Sequence, residues 1–342
     1  MASATYYCDA AAGTDTGSGT VGDPFKTIGQ AMSTISGTGN TVYVKASATY
    51  SERVSTPAGA TLAAPNKLIG YTTNVTDGGR ATIDGTGQNE ALNHAYNYWW
   101  IQNLNLTGGN FRGMLGNGDY NYMTNVHAYS NSGQGFLIDN GYTMQDCVAR
   151  NNSGNGIDVD QYTVLVRCDS HSNTGYGFYI QGGSQQRCIC YQCLAYDNGN
   201  TQIYSTGVVD VVECTVDGNN TEPGIWWNNS VYYGGMIINN IIHDCSTGIY
   251  IAASAQPNFA IDTNVFYSNT TNYTFNSSPL PITNSITGDP ALNADYSLGT
   301  GSSAIGTGKD FTGSSTGMDI GAIQTIPSTS TGTGTSRVIL TS

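Results

Sequence analysis

Four cysteines, Cys147, Cys168, Cys193 and Cys214, follow one another at intervals of 21, 25 and 21 residues. Asn131, Asn152, Asn173, Asn198 and Asn219 recur at 21, 21, 25 and 21. A near-constant step of this size, without helical periodicity, constrains the chain to a solenoid. Each repeat is one coil, and only stacking on its neighbours buries the coil's apolar side.

Aligned on the cysteines, the coils run MTNVHAYSNSGQGFLIDNG from Met123, MQDCVARNNSGNGIDVDQ from Met144, LVRCDSHSNTGYGFYIQGG from Leu165, CYQCLAYDNGNTQIYS from Cys190 and VVECTVDGNNTEPGIWWNN from Val211. Each reads as a short alternating strand, an Asn/Gly turn, a second short strand and another turn. Gly and Asn supply the positive φ that tight turns need. The 44 glycines and the 10% share of charged residues fit an all-β chain, while 39% apolar residues provide a core. Leucine-rich repeats share the period, but no coil carries L-x-x-L-x-L. The inward positions are Val, Ile, Cys, Ala and Phe. The cysteine column is predicted to be reduced core filler, since thiols stacked in register point side by side, a poor geometry for bridging. The asparagine column is predicted to be a hydrogen-bonded ladder.

Both ends add motifs. Tyr6 to Ile35 reads as a strand, a Gly/Asp loop and a short helix beginning near Pro24; Val42 to Val54 reads as a first coil. Asp289 to Gly308 and MDIGAIQ from Met318 read as a closing segment. With these motifs the chain resembles the right-handed parallel β-helix, or pectate-lyase-like, superfamily over residues 5–325. The resemblance implies an all-β, single-stranded right-handed parallel β-helix solenoid with an N-terminal helix cap and a C-terminal capping segment. Residues 1–41 would form the N-terminal cap, 42–285 the coils, 286–325 the closing segment and 326–342 a Ser/Thr/Gly-rich tail. That tail ends on Arg337-Val338-Ile339-Leu340, a candidate docking peptide. The superfamily hosts lyases, hydrolases, esterases and structural spikes, so the fold does not fix an activity.

Charge narrows the partners. Lys and Arg number 11 against 24 Asp and Glu, a formal net charge of −13. Nucleic acid needs a basic footprint, so it is excluded as a partner. No apolar run approaches a membrane span, and MASATYYCDAAAG lacks the charged and apolar regions of a secretory signal. The four histidines, His94, His127, His171 and His243, are read as sharing no column, which argues against a histidine metal site.

In the first strand, the outward columns read Asn125, Asp146, Arg167, Gln192, Glu213; His127, Val148, Asp169, Leu194, Thr215; and Tyr129, Arg150, His171, Tyr196, Asp217. Asp146 over Arg167 is an expected ion pair. In the second strand Leu137, Asp158, Tyr179, Tyr204 and Trp226 face outward, with Asp139, Asp160 and Gln181 two residues further. Stacked Asp139 and Asp160, beside Asp158, repel unless a cation intervenes, and one pKa should rise. A raised acid beside an ionised one suits glycoside hydrolysis; oxygen ligands alone suit Ca²⁺. Tyr179, Tyr204 and Trp226 form an aromatic strip fit for sugar rings or a protein interface. Pectate-lyase-like enzymes use Arg or Lys near acidic Ca²⁺ ligands. Here the central coils hold only Arg150, Arg167 and Arg187, which disfavours lyase chemistry.

Two functions follow as expectations. One is a structural or adhesive β-helix of a phage particle (a tailspike, fibre or capsid decoration). It would be made in the host cytoplasm without a cofactor, pack as a homotrimer, and contact virion proteins or host-surface polysaccharide. The other is a polysaccharide-cleaving enzyme, a hydrolase rather than a lyase, using the Asp cluster and the aromatic strip. A removed leader would make the protein secreted instead.

Overall fold

The computed structural model describes residues 3–182, 186–228, 234–252, 259–276, 279–309 and 315–322. The chain winds as an all-β solenoid of about ten turns with very little helix. Each central coil contributes three strands rather than the expected two. They form a first rank (Tyr142–Gln145, Val164–Val166, Cys188–Tyr191, Val209–Val212), a middle rank (Val148–Arg150, Asp169–His171, Leu194–Tyr196, Thr215–Asp217) and a third rank (Ile157–Val159, Phe178–Ile180, Ile203–Ser205, Ile225–Trp227). Every strand pairs in parallel with its equivalent one coil away, and the third rank forms a ten-stranded sheet among the described residues.

The extra strand arises from a one-residue corner. Asn103, Asn125, Asp146, Arg167, Gln192, Glu213 and Asn239 sit between the first and middle ranks with φ between 49° and 59°. This left-handed conformation bends the chain without glycine. Inward positions therefore step by three across the corner, as in Met123 to Val126, then by two to Ala128. All three are fully buried.

Inside, like residues stack on like. Phe136, Ile157, Phe178, Ile203, Ile225 and Ile249 follow one another along the third rank, each at most 2% exposed. Burying each is worth about 2–3 kcal/mol. All eight cysteines are buried and unbridged, and Cys147, Cys168, Cys193 and Cys214 line the interior as expected. Beyond them the column turns polar: Asn240 Oδ1 accepts from Cys214 N at 2.8 Å, and Asn240 Nδ2 donates to Asn264 Oδ1 at 2.9 Å.

The asparagine ladder also forms. Nδ2 of Asn131, Asn152 and Asn173 each donates to Oδ1 of the next asparagine at 2.9 Å, and Asn198 closes the series on Gln202 Oε1 at 2.7 Å. Each amide thereby satisfies buried backbone left open by the turn. A Cβ on Gly135 would lie 2.6 Å from Gly156 O and 2.8 Å from Asn152 Nδ2, so the ladder requires glycine there. Asn219 departs from the expectation. Its turn carries two successive left-handed residues, Asn219 and Asn220, and its exposed side chain bonds Asp197 instead.

At the N-terminus, Thr5–Asp9 pairs with Thr41–Lys45. The helix is Ile28–Thr34, starting four residues after Pro24. Thr27 Oγ1 accepts from Gln30 N at 3.2 Å, and Glu52 carboxylate oxygens accept from the Ile28 and Gly29 amides at 2.8 Å each. Ile28, Ala31 and Met32 point into the core. The described part of 286–322 lies along the flank of the solenoid. Leu298, Ala304 and Ile320 pack on Ile241 and Val265, which face outward from the middle rank. The tail, 326–342, lies outside the described residues.

Candidate acidic corner and aromatic ladder

The third rank turns back to the first at a corner where carboxylates gather. Asp139 N donates to Gly116 O at 2.7 Å and Asp160 N to Ile138 O at 3.0 Å, so the two residues occupy successive rungs at the ends of their strands. Rungs lie about 4.8 Å apart. Asp139 is exposed and Asp160 half-buried. Burial, and to a smaller degree the charge of Asp139, hold the Asp160 carboxyl above the usual range. Asp160 therefore keeps its proton to a higher pH than a free carboxyl does.

Asp158 stands in the outward column as expected, between Leu137 and Tyr179, but its neighbours cover it. It is 4% exposed. Gln181 Nε2 donates to Oδ1 at 2.8 Å and Asn155 Nδ2 to Oδ2 at 3.2 Å, and Gln134 of the previous coil also bonds it. Burial raises its pKa against the pull of these amides. The side chains around it are donors, which suits a held carboxylate and not a Ca²⁺ ligand. Asp139 and Asp160 alone fall far short of the 6–8 oxygens that Ca²⁺ takes.

Tyr179, Tyr204 and Trp226 share one column, following Leu137 and Asp158 as expected. They pack on each other more than on solvent. Tyr179 and Tyr204 stack at 5.2 Å and 13°, and Trp226 meets Tyr204 edge-on at 5.4 Å. Tyr176, from the turn, closes a triangle with Tyr179 and Tyr204, stacked on Tyr204 at 4.6 Å and tilted against Tyr179 at 5.3 Å. Tyr204 is accordingly only 8% exposed, and its hydroxyl accepts from Asn228 Nδ2 at 2.8 Å. Tyr250 extends the column, 5.2 Å from Trp226. Sequence reasoning missed Tyr176 and Tyr250. The signal for Tyr250 was its place after Gly248, matching Trp226 after Gly224.

The middle rank carries a second polar group. Asp217, His243 and Asp244 present ligand atoms within 4.8 Å of one another, a set able to hold a metal ion. Tyr296 from the flanking segment donates its hydroxyl to Asp217 Oδ2 at 2.8 Å, so one ligand oxygen is already engaged. His243 lies in the column of His171, three rungs on. The expectation that the histidines share no column fails for this pair, because coil lengths drift after Val211. Asp146 and Arg167 form the expected pair, bidentate at 2.7 and 2.9 Å.

The family model for a right handed beta helix region matches residues 139–287. The chain is a right-handed parallel β-helix. Among solved structures it is similar to the pectate lyase Pel9A, at 16% identity, 94% coverage of this chain, 96% of that one and a TM-score of 0.69. A rhamnogalacturonan lyase aligns at 13% identity, 82% and 86% coverage and TM-score 0.60. XylC in complex with xylose aligns at 9% identity, 84% and 87% coverage and TM-score 0.55. No curated protein matches by sequence. At these identities the β-helix is shared with proteins named for action on polysaccharides or sugars, and the likeness stops at the fold. No helix of the described residues is long and apolar enough to cross a membrane.

Proposed function

We propose that this β-helix engages polysaccharide at the corner marked by Asp139 and Asp160. The observation that carries the reading is the pairing of an exposed and a half-buried carboxylate on successive rungs, beside a sheet faced with aromatic rings. Carboxylates accept hydrogen bonds from sugar hydroxyls, and aromatic side chains pack on their C–H faces. The similar structures, a pectate lyase, a rhamnogalacturonan lyase and XylC with xylose, support a carbohydrate ligand on this fold.

Within that reading the main role is adhesive, on a phage or other particle, as a homotrimer. Eight buried, unbridged thiols suit assembly in a reducing cytoplasm. Size-exclusion with light scattering tests the assembly, and a strict monomer sinks the trimer.

A second reading, hydrolysis of the bound glycan, is favoured by Asp160 alone. Its raised carboxyl would act as general acid and Asp139 as nucleophile, at a rung spacing close to the ~5 Å of retaining enzymes. Proton abstraction next to a uronate is less well supported: Arg167 and Arg187 are committed to Asp146 and Asp210, and Arg150 lies over the Tyr129 ring on the middle rank. Reducing-sugar release from a polysaccharide panel, with Asp139→Asn and Asp160→Asn, decides. Hydrolysis predicts at least a hundredfold loss in both variants. Equal inertness of all three proteins leaves adhesion alone.

A further inference from the structure

The same corner carries a second column, formed by Tyr98, Tyr120, Gly141 and Tyr162 on four successive rungs. All four have left-handed backbone, with φ of 61°, 56°, 68° and 56°. Equal backbone conformation on equally spaced rungs sends the side chains out in one direction. Tyr98 and Tyr120 show the result: their rings stack at 5.5 Å and 10°. Gly141 then leaves one rung bare. Tyr120 and Tyr162 therefore stand two rungs, about 9.6 Å, apart. A Cβ on Gly141 would sit against Tyr120 N at 3.3 Å and Asp119 Cβ at 3.6 Å, and glycine places no side chain beyond those contacts into the gap.

We propose that this slot binds a single neutral pyranose ring of a glycan, held between Tyr120 and Tyr162. The inference rests on the glycan reading above and names its ligand class. The width selects the ligand. A saturated ring with axial hydrogens is thick enough to touch both phenols. A flat aromatic ring touches at about 3.5 Å and would forfeit a large part of its dispersion energy across the remaining gap. The two phenols are 66% and 58% exposed, so their packing within the fold does not repay the cost of holding bulky residues at positive φ.

The rim selects the charge. Asp119, Asn140 and Gln161 precede the three slot residues in sequence, and Asp139 and Asp160 stand one position earlier. An acidic rim welcomes hydroxyl donors and repels uronates. The ligand class thus differs from the pectate named for the similar lyase.

The test is calorimetric titration and affinity electrophoresis against a β-glucan, a galactomannan and polygalacturonate. At least one neutral glycan should bind, and polygalacturonate should bind at least tenfold more weakly. Tyr162→Ala should weaken neutral binding at least fivefold. Gly141→Asn, a residue that tolerates left-handed backbone, fills the slot and should abolish binding while circular dichroism is unchanged. Tyr267→Ala removes an exposed ring from the middle rank and should bind as wild type does. A neutral glycan that binds Gly141→Asn and Tyr162→Ala undiminished overturns the slot and leaves the glycan reading standing. Tighter binding of polygalacturonate overturns the ligand class. No binding to any of the three overturns both.

Discussion

The outer faces of the third and middle ranks are built from the same kind of repeat and end up in opposite states. On the third rank Asp139 stays exposed, and Tyr179, Trp226 and Tyr250 remain half-exposed. On the middle rank Thr215, Ile241 and Val265 are buried, because the flanking segment lays Leu298, Ala304 and Ile320 across them. Asp217 is spent on holding Tyr296. A column of chemically capable side chains is therefore not yet a site. What lies over it decides.

The largest expected effect comes from breaking that cover. Ile320 is fully buried against Ile241 and Val265. Ile320→Asp places a charge in an apolar seat and should cost about 3 kcal/mol, roughly a hundredfold in the population of the detached segment. A solenoid coil contacts only its neighbours, so the loss should stay local. Limited proteolysis should cut within 289–309 far faster, with the far-ultraviolet spectrum and glycan binding unchanged. Simultaneous loss of glycan binding would mean the two faces are not independent.

The uncovered stretch of the middle rank supplies the second effect. Asp169 lies between Val148 and Leu194 in its column, and its Oδ1 has no hydrogen-bond partner. Burial pushes its carboxyl up to about 7. An unfolded Asp titrates near 3.9, so the folded state binds the extra proton between these limits. The stabilisation is fully present below about pH 4 and is lost as the pH rises through 7. Urea midpoints should fall by a few tenths molar or more from pH 4 to pH 8 through this group. Asp169→Asn should flatten that part of the profile, and parallel profiles for the two proteins would refute the assignment.

Tyr296→Phe is a smaller change to the cover. It deletes the donor to Asp217 and keeps the ring, 4.7 Å from Tyr196. The loss should be about 1–2 kcal/mol. It should appear as faster hydrogen exchange in the flanking segment and leave the third rank unaltered.

How much of this was legible in the chain depends on the range of the interaction. The interior column and the ladder from Asn131 to Asn198 were readable, because one side chain per coil repeats one contact. The third-rank column was readable as far as Trp226, because the preceding glycines mark where the strand begins. The corner at Asp146 and Arg167 was hidden, since left-handed backbone normally announces itself as Gly or Asn and here sits on Asp, Arg, Gln and Glu. The burial of Asp158 needs Gln134, Asn155 and Gln181 from three coils to converge. The flanking segment contacts residues 79 and 107 positions away, as Tyr296 to Asp217 and Ala322 to Thr215 do. No period of about 21 residues encodes a contact of that span.

The smallest effect concerns the corner between the first and middle ranks. Arg167 and Asp146 are bidentate, yet both side chains remain more than 40% exposed, which leaves the pair largely screened. A double-mutant cycle of Asp146→Ala and Arg167→Ala should give about 0.5 kcal/mol, falling toward zero in 1 M salt. If the coupling instead exceeds 2 kcal/mol and resists salt, the pair is shielded in solution. An assembled subunit would then cover this corner, as the flanking segment covers the coils beyond it, leaving the third-rank face and its acidic corner as the open side.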